Sequence, residues 1–168
     1  MADRFALVDE RDLDADLRSR VGRLLAATLD DGPVYLGSAS RTLVPFVRVL
    51  AFAEDDAIVG HAACFRVPCQ PPIAVRGLGD VSVHAAHRGR GIARRLCEIA
   101  TTACWDDGAL AIVTKTKPLR RVASDLAYAA VRDFSIYVED RRSCWRHPDW
   151  MAAGKDSLPR LRLLEGDF

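Results

Sequence analysis

Long apolar runs are missing from this chain, and so are strong net charge, closely spaced cysteine pairs and internal repeats. Without an apolar run near twenty residues, no membrane-spanning helix is expected. The 24 Lys and Arg residues almost cancel the 23 Asp and Glu residues, leaving a formal net charge of +1. No overall field therefore draws the protein to nucleic acid or to anionic lipid, and any anion it recognises must be met by a local site. The five cysteines (Cys64, Cys69, Cys97, Cys104 and Cys144) are odd in number and include no Cys-x-x-Cys pair. A zinc site or disulfide framework is thus not expected, and buried thiols in a reducing cytoplasm are the plain reading. The opening residues turn acidic at Asp9 and Glu10 before a long apolar stretch appears, so a secretory signal is not expected either.

What remains is an ordinary globular composition, 49% hydrophobic and 28% charged over 168 residues, enough for one domain spanning 1–168 with its own core. Phe5 to Val8 reads as an opening strand. Leu13, Leu17, Val21, Leu24, Leu25 and Leu29 recur at helical spacing, which predicts an amphipathic helix ended by Asp30-Asp31-Gly32-Pro33. Tyr35 to Pro45 has no regular pattern. Phe46 to Ala53 and Ala57 to Val67 read as strands of a hairpin turned by Glu54-Asp55-Asp56. Ile73 to Val83 is strand-like, with Gly77 and Gly79 suggesting a bulge. A helix over Gly91 to Trp105 presents Leu96, Ala100 and Ala103 inward. Ala109 to Thr114 is apolar throughout, as in a strand covered on both faces. Pro118 opens a further helix to about Val131, and Phe134 to Val138 and Ser143 to Arg146 close the chain as strands. The order implies one mixed α/β domain.

The segment with chemical content runs from Gly79 to Leu96. A strand passes into a turn containing Gly89 and Gly91 and then directly into a helix. Such a turn leaves backbone N–H groups unpaired at the positive end of a helix dipole, which suits a phosphate or pyrophosphate. Glycines let the anion approach the backbone, and Arg88, Arg90, Arg94 and Arg95 add positive charge. A Walker loop is excluded because its Gly-x-x-x-x-Gly-Lys pattern is absent. The dinucleotide pattern fails at Arg94, where a glycine belongs.

Arg88-Gly89-Arg90-Gly91-Ile92-Ala93, preceded by the strand Asp80-Val81-Ser82-Val83, resembles the Arg/Gln-x-x-Gly-x-Gly/Ala signature of the GNAT superfamily of N-acetyltransferases. The order of predicted elements is similar over most of the chain. The resemblance implies a mostly antiparallel sheet with one splayed parallel pair and flanking helices. It also implies acetyl-CoA or another acyl-CoA as co-substrate, with no metal. Main-chain N–H groups from Arg88, Gly89, Arg90, Gly91, Ile92 and Ala93 would hold the pyrophosphate. Val81 and Val83 would pair with the pantetheine arm as an added strand does. An N–H near Val81 or Ser82 would meet the thioester carbonyl if the strand bulges there.

The same resemblance makes Asp80 the candidate base, the alternative being a cap or an ion pair with an arginine such as Arg76. It makes Tyr128 the candidate acid. The chain departs from the family around Tyr128, where the following glycine and an earlier asparagine (Arg121 or Val122 here) are missing, so a Tyr128 turned into the core stays open. His84 could join a proton relay, or simply face solvent with His87. Cys97 and Cys104 are read as packing residues, and Trp105, Trp145 and Trp150 as structural or groove-lining.

Around the motif and tail the chain is also similar to the aminoglycoside 2′-N-acetyltransferases and to the nodulation N-acyltransferases. That likeness implies a small-molecule primary amine as acceptor, such as an amino sugar or aminoglycoside, met by Glu165 and Asp167. A solvated acidic tail is the plain alternative. No nucleic-acid or membrane partner is expected, and a homodimer is compatible with the family. Competing classes are an acyl-CoA sensor without turnover and a nucleic-acid module, whose affinity would fall steeply with salt.

Overall fold

Asp9 and Asp14 start the first two turns of the chain by one device. Each side chain accepts from a backbone N–H just ahead, that of Arg11 at 3.1 Å and that of Leu17 at 2.7 Å, as short acidic residues do at helix starts. Strand β1 (Arg4–Asp9) therefore passes through a 3-10 turn (Glu10–Asp12) into helix α1 (Ala15–Thr28). The computed structural model describes residues 4–29, 44–67, 74–108, 110–114, 121–123, 125–126, 128–131, 135–138, 141–146 and 150–154.

The hairpin expected next is present as β2 (Pro45–Phe52) and β3 (Ile58–Val67). β4 (Val75–Val83) continues the antiparallel run, and α2 (Ile92–Asp107) carries the chain to β5 (Leu110–Thr114), which lies parallel to β4. The sheet order is β1-β2-β3-β4-β5-β9-β6, where β6 is Ala129–Val131 and β9 is Trp150–Gly154; β7 (Ser135–Val138) and β8 (Arg141–Arg146) form a separate hairpin. A mixed, mostly antiparallel sheet with helices against it is the expected class.

Two expectations change here. The helix read from Pro118 to about Val131 ends early. The helical residues described at 121–123 and at 125 give way where Tyr128 N–H reaches the Ala123 carbonyl at 3.0 Å, and Ala129–Val131 is strand, paired with β9. Alanines favour a helix in isolation, but the ladder offered by β9 outweighs a preference of a few tenths of a kcal/mol per residue. β9 itself was not expected, because Met151-Ala-Ala-Gly154 has no strand pattern of its own. It is extended because it fills the place between β5 and β6.

The two helices cover opposite faces of the sheet. On one face Val47, Val49, Ala51, Ala62, Cys64 and Leu78 pack against Ile92, Leu96, Ala100 and Cys104 of α2. On the other, Leu50 and Phe52 pack against Val21 and Leu25 of α1. The far end of α2 is tied down by Asp107, which accepts from Arg66 at 2.9 and 3.0 Å and from Arg76 at 2.5 Å. The hydrogen bonds from Arg66, then those from Arg76, hold its carboxyl below the usual range. Arg76 is thus paired with Asp107.

The near end of α2 sits close to β3 because Gly60 has no side chain. A Cβ there would lie 2.9 Å from Ile92 Cγ2 and 3.0 Å from both Leu96 Cδ1 and Ala51 Cβ. Gly60→Val is expected to cost about 1–3 kcal/mol through overpacking, read as a lowered melting temperature, as the start of α2 is pushed off the sheet.

Candidate active site

The loop between β4 and α2 has the conformation its glycines permit. Gly89 (φ 79°) and Gly91 (φ 80°) are both left-handed, a region costly for other residues. A Cβ on either would meet nothing within 4 Å, so the surface above them is open. The 3-10 turn Ala85–His87 before the loop is capped by His84, whose ring nitrogen accepts from Ala86 N–H at 3.4 Å. The exposed His84 is therefore a turn-capping residue in this structure.

Gly91 is the N-cap of α2 and offers no side-chain cap. The first bond of the helix runs from Arg95 N–H to the Gly91 carbonyl at 3.1 Å. Among the described residues, nothing accepts from the N–H groups of Gly89, Arg90, Gly91, Ile92, Ala93 or Arg94. These donors stand at the positive end of a sixteen-residue helix, an arrangement suited to an anion. Of the four arginines expected to add charge, Arg94 and Arg95 share Glu98 at 3.1 and 3.0 Å. Arg95 first, then Arg94, holds the Glu98 carboxyl below its usual range. Arg88 folds back and donates to the Val83 carbonyl at 3.1 Å.

Beside this loop, among the described residues, β4 and β5 pair from Val75 with Leu110 to Leu78 with Val113, and β4 continues to Val83 with no described partner on that side. His84 N–H donates to the Val59 carbonyl at 2.9 Å. Alternation along an antiparallel ladder then turns the main-chain groups of Ser82 toward β3 and those of Val83 away from it. Ser82 is buried, and its Oγ has no partner among the described residues.

A bulge interrupts β4 at the end of the paired segment. His61 is opposite Ser82 and Ala63 is opposite Gly79, so Asp80 and Val81 together face Ala62. Asp80 has φ 52°, which aspartate and asparagine tolerate better than most residues. Its carbonyl accepts from His61 Nδ1 at 2.9 Å. The bulge that Gly77 and Gly79 suggested is real but lies one residue further on.

Behind the bulge lies a polar chain that the sequence reading missed. Glu10 accepts from Arg48 Nε at 2.5 Å, and Arg48 Nη1 lies 3.1 Å from His61 Nε2. Guanidinium can only donate, so Nε2 accepts, and Nδ1 carries the proton given to Asp80. His61 is fully buried. Desolvation, followed by the charge of Arg48, lowers its pKa to about 3. The signal was present in the sequence: Arg48 and His61 interrupt apolar strands, and a buried polar side chain requires a partner.

Unfolded, His61 binds a proton below about 6.5, whereas folded it does so only near 3. Between those values the unfolded state holds more protons, so stability falls as pH drops through that window, by several kcal/mol at its lower end. Denaturant titrations of the wild type and His61→Gln at pH 7.5, 5.5 and 4.5 should show a shallower fall for the variant.

Tyr128 is buried on the α2 face, with its hydroxyl 2.8 Å from Thr101 Oγ1. Burial pushes its phenol pKa up. Cys64, Cys97 and Cys104 are buried thiols, and burial raises Cys97 to about 12, which fits packing. Glu165 and Asp167 lie outside the described residues, as do the side chains of Trp145 and Trp150.

Residues 19–128 match the model of the acetyltransferase (GNAT) family. The chain belongs to the GNAT family. Solved GNAT-fold structures agree with this architecture. ElaA from Escherichia coli covers 90% of the chain and 99% of its own length, at 16% identity and TM-score 0.65. The GNAT N-acetyltransferase YhbS from Escherichia coli, solved with CoA, covers 90% and 82%, at 13% identity and TM-score 0.65. A GNAT acetyltransferase from Brucella melitensis, solved with acetyl-CoA, covers 93% and 92%, at 16% identity and TM-score 0.57. At these identities the likeness is one of fold. No curated protein matches the chain.

Proposed function

We propose that this GNAT chain acts as one domain over 1–168, transferring an acetyl or other short acyl group from acyl-CoA to a primary amine. The observation that carries this reading is the row of N–H donors from Gly89 to Arg94, which no described residue engages, at the mouth of α2 beside the stretch of β4 that β5 does not pair with among the described residues. In the proposal the N–H groups of Gly89 to Ala93 bind the CoA pyrophosphate, and the outward main chain of Val81 and Val83 pairs with the pantetheine arm. The Arg88 N–H, expected to join the pyrophosphate donors, is instead given to the Ala85 carbonyl at 3.3 Å, which closes the turn before the loop. Ser82, whose main chain turns to β3, supports that strand from behind. Val81 N–H, beside the bulge, meets the thioester carbonyl.

In the transfer, the amine nitrogen forms the new N–C bond as the C–S bond breaks. Asp80 takes a proton from the amine, directly or through water, and Tyr128 returns one to the departing thiolate. A raised phenol pKa keeps Tyr128 protonated, as a donor must be. Tyr128→Phe is expected to lower kcat about 10- to 100-fold with CoA affinity retained. It should also cost about 1 kcal/mol of stability through the lost Thr101 bond. An amino sugar or aminoglycoside is the acceptor that Glu165 and Asp167 would suit, a reading that rests on their charge alone.

Calorimetry with CoA, followed by acetyl-CoA consumption against a panel of amines, tests the proposal. Binding with turnover supports it. Binding without turnover on any amine would leave an acyl-CoA sensor, and no CoA binding would remove both.

A further inference from the structure

We infer that Glu10, Arg48 and His61 form a buried positioning device that aims the Val81 N–H at the acyl carbonyl. The inference rests on the acyltransferase reading above. Asp80 holds a left-handed backbone (φ 52°) within a strand, and such a residue persists only where its surroundings impose it. One contact that holds it there is the bond from His61 Nδ1–H to the Asp80 carbonyl at 2.9 Å. A trans peptide carries its C=O and N–H on opposite sides. With the Asp80 carbonyl bound to the His61 ring, the Val81 N–H of the same peptide points away from that ring, at a stretch of β4 that β5 does not pair with among the described residues.

The rest of the chain determines which way the imidazole faces. A neutral histidine can donate from either nitrogen. Arg48, buried and held at 2.5 Å by Glu10, presents donors to Nε2 at 3.1 Å, so Nδ1 must carry the hydrogen. Glu10 is held in turn by Arg18 at 2.9 Å. The device thus links the turn before α1 to β2, β3 and the bulge of β4.

Two substitutions separate the device from general stability. His61→Asn keeps a donor near the Nδ1 position and loses the contact with Arg48. His61→Gln keeps a polar group near the Nε2 position and loses the donor to Asp80. For each, kcat, the KM for acetyl-CoA, the dissociation constant of CoA and the melting temperature are measured. We expect His61→Gln to lose about 100-fold in kcat, the scale of one carbonyl-polarising donor, with CoA affinity little changed. His61→Asn should recover at least about ten-fold of that loss, despite melting no higher. Equal kcat for the two variants, or kcat that follows melting temperature, overturns the inference.

If either variant does not fold, the wild type decides by nitrogen-detected spectra. An Nδ1–H tautomer of His61, with a Val81 amide resonance that moves with acetyl-CoA and not with CoA, supports the device. An Nε2–H tautomer, or a Val81 amide that responds equally to both, overturns it. A wild type that neither binds CoA nor consumes acetyl-CoA fails the acyltransferase reading itself, a different outcome from equal variants of an active enzyme.

Discussion

Gly91→Val is expected to weaken CoA binding by about 100-fold or more, while the protein still melts cooperatively. Gly91 sits at φ 80°, ψ 0° at the start of α2, and a β-branched residue there costs upward of about 1–2 kcal/mol. The loop can escape that cost by turning Gly91 out of the left-handed region, which rotates the N–H groups on either side of it. Losing two charge-assisted bonds to phosphate, at about 1.5–3 kcal/mol each, gives the expected factor. Crowding inside the protein is not the cause, since a Cβ at Gly91 would meet nothing within 4 Å. Calorimetry with CoA and a thermal melt on the same sample separate the ligand effect from the fold. An unchanged CoA affinity would falsify the assignment of this loop to the pyrophosphate.

Asp80→Asn should reduce kcat/KM by a factor of about 100 to 10,000, the range in which a positioned base contributes. Asparagine is the informative replacement because it, too, tolerates φ 52°. The bulge, the carbonyl bond to His61 and the Val81 N–H are all retained, and only the carboxylate is lost. Asp80→Ala would confound the two, removing the base and adding backbone strain together. In the pH profile, the rise in kcat/KM owed to the base should vanish in Asp80→Asn, leaving the rise owed to deprotonation of the amine itself. Full rate for the variant at every pH means that Asp80 is not the base and is present for the conformation of the bulge.

The left-handed turn at Gly89 and Gly91 was the most legible part of the candidate site because its signal is local. Two glycines one residue apart, between an apolar strand and an apolar-periodic helix, already specify left-handed turns and unpaired N–H groups at a helix start. Leu13 to Leu29 announced α1 in the same way, its spacing being that of a helix with one covered face. Cys97, Cys104 and the inward Leu96 and Ala100 followed from the same periodicity, and all are buried.

Other features could not be read because their cause is a neighbour remote in sequence. Ala129–Val131 and Trp150–Gly154 are strands because each completes the other's ladder beside β5; neither has a pattern that would make it a strand alone. Gly60 looks like any glycine in a hairpin until Ile92 and Leu96 are placed over it.

The amino-acid sequence by itself determined the covered faces of α1 and α2, the β2–β3 hairpin and the turn at Gly89 and Gly91, since hydrophobic period and glycine torsion act within a few residues. Only the tertiary structure decided which residues of β4 pair with β5, that Arg76 belongs to Asp107, and that Glu10, Arg48 and His61 meet beneath Asp80. Those outcomes depend on strand register and on burial. A polar side chain removed from water takes whichever partner the packed sheet brings within about 3 Å, and no stretch of chain states in advance which partner that will be.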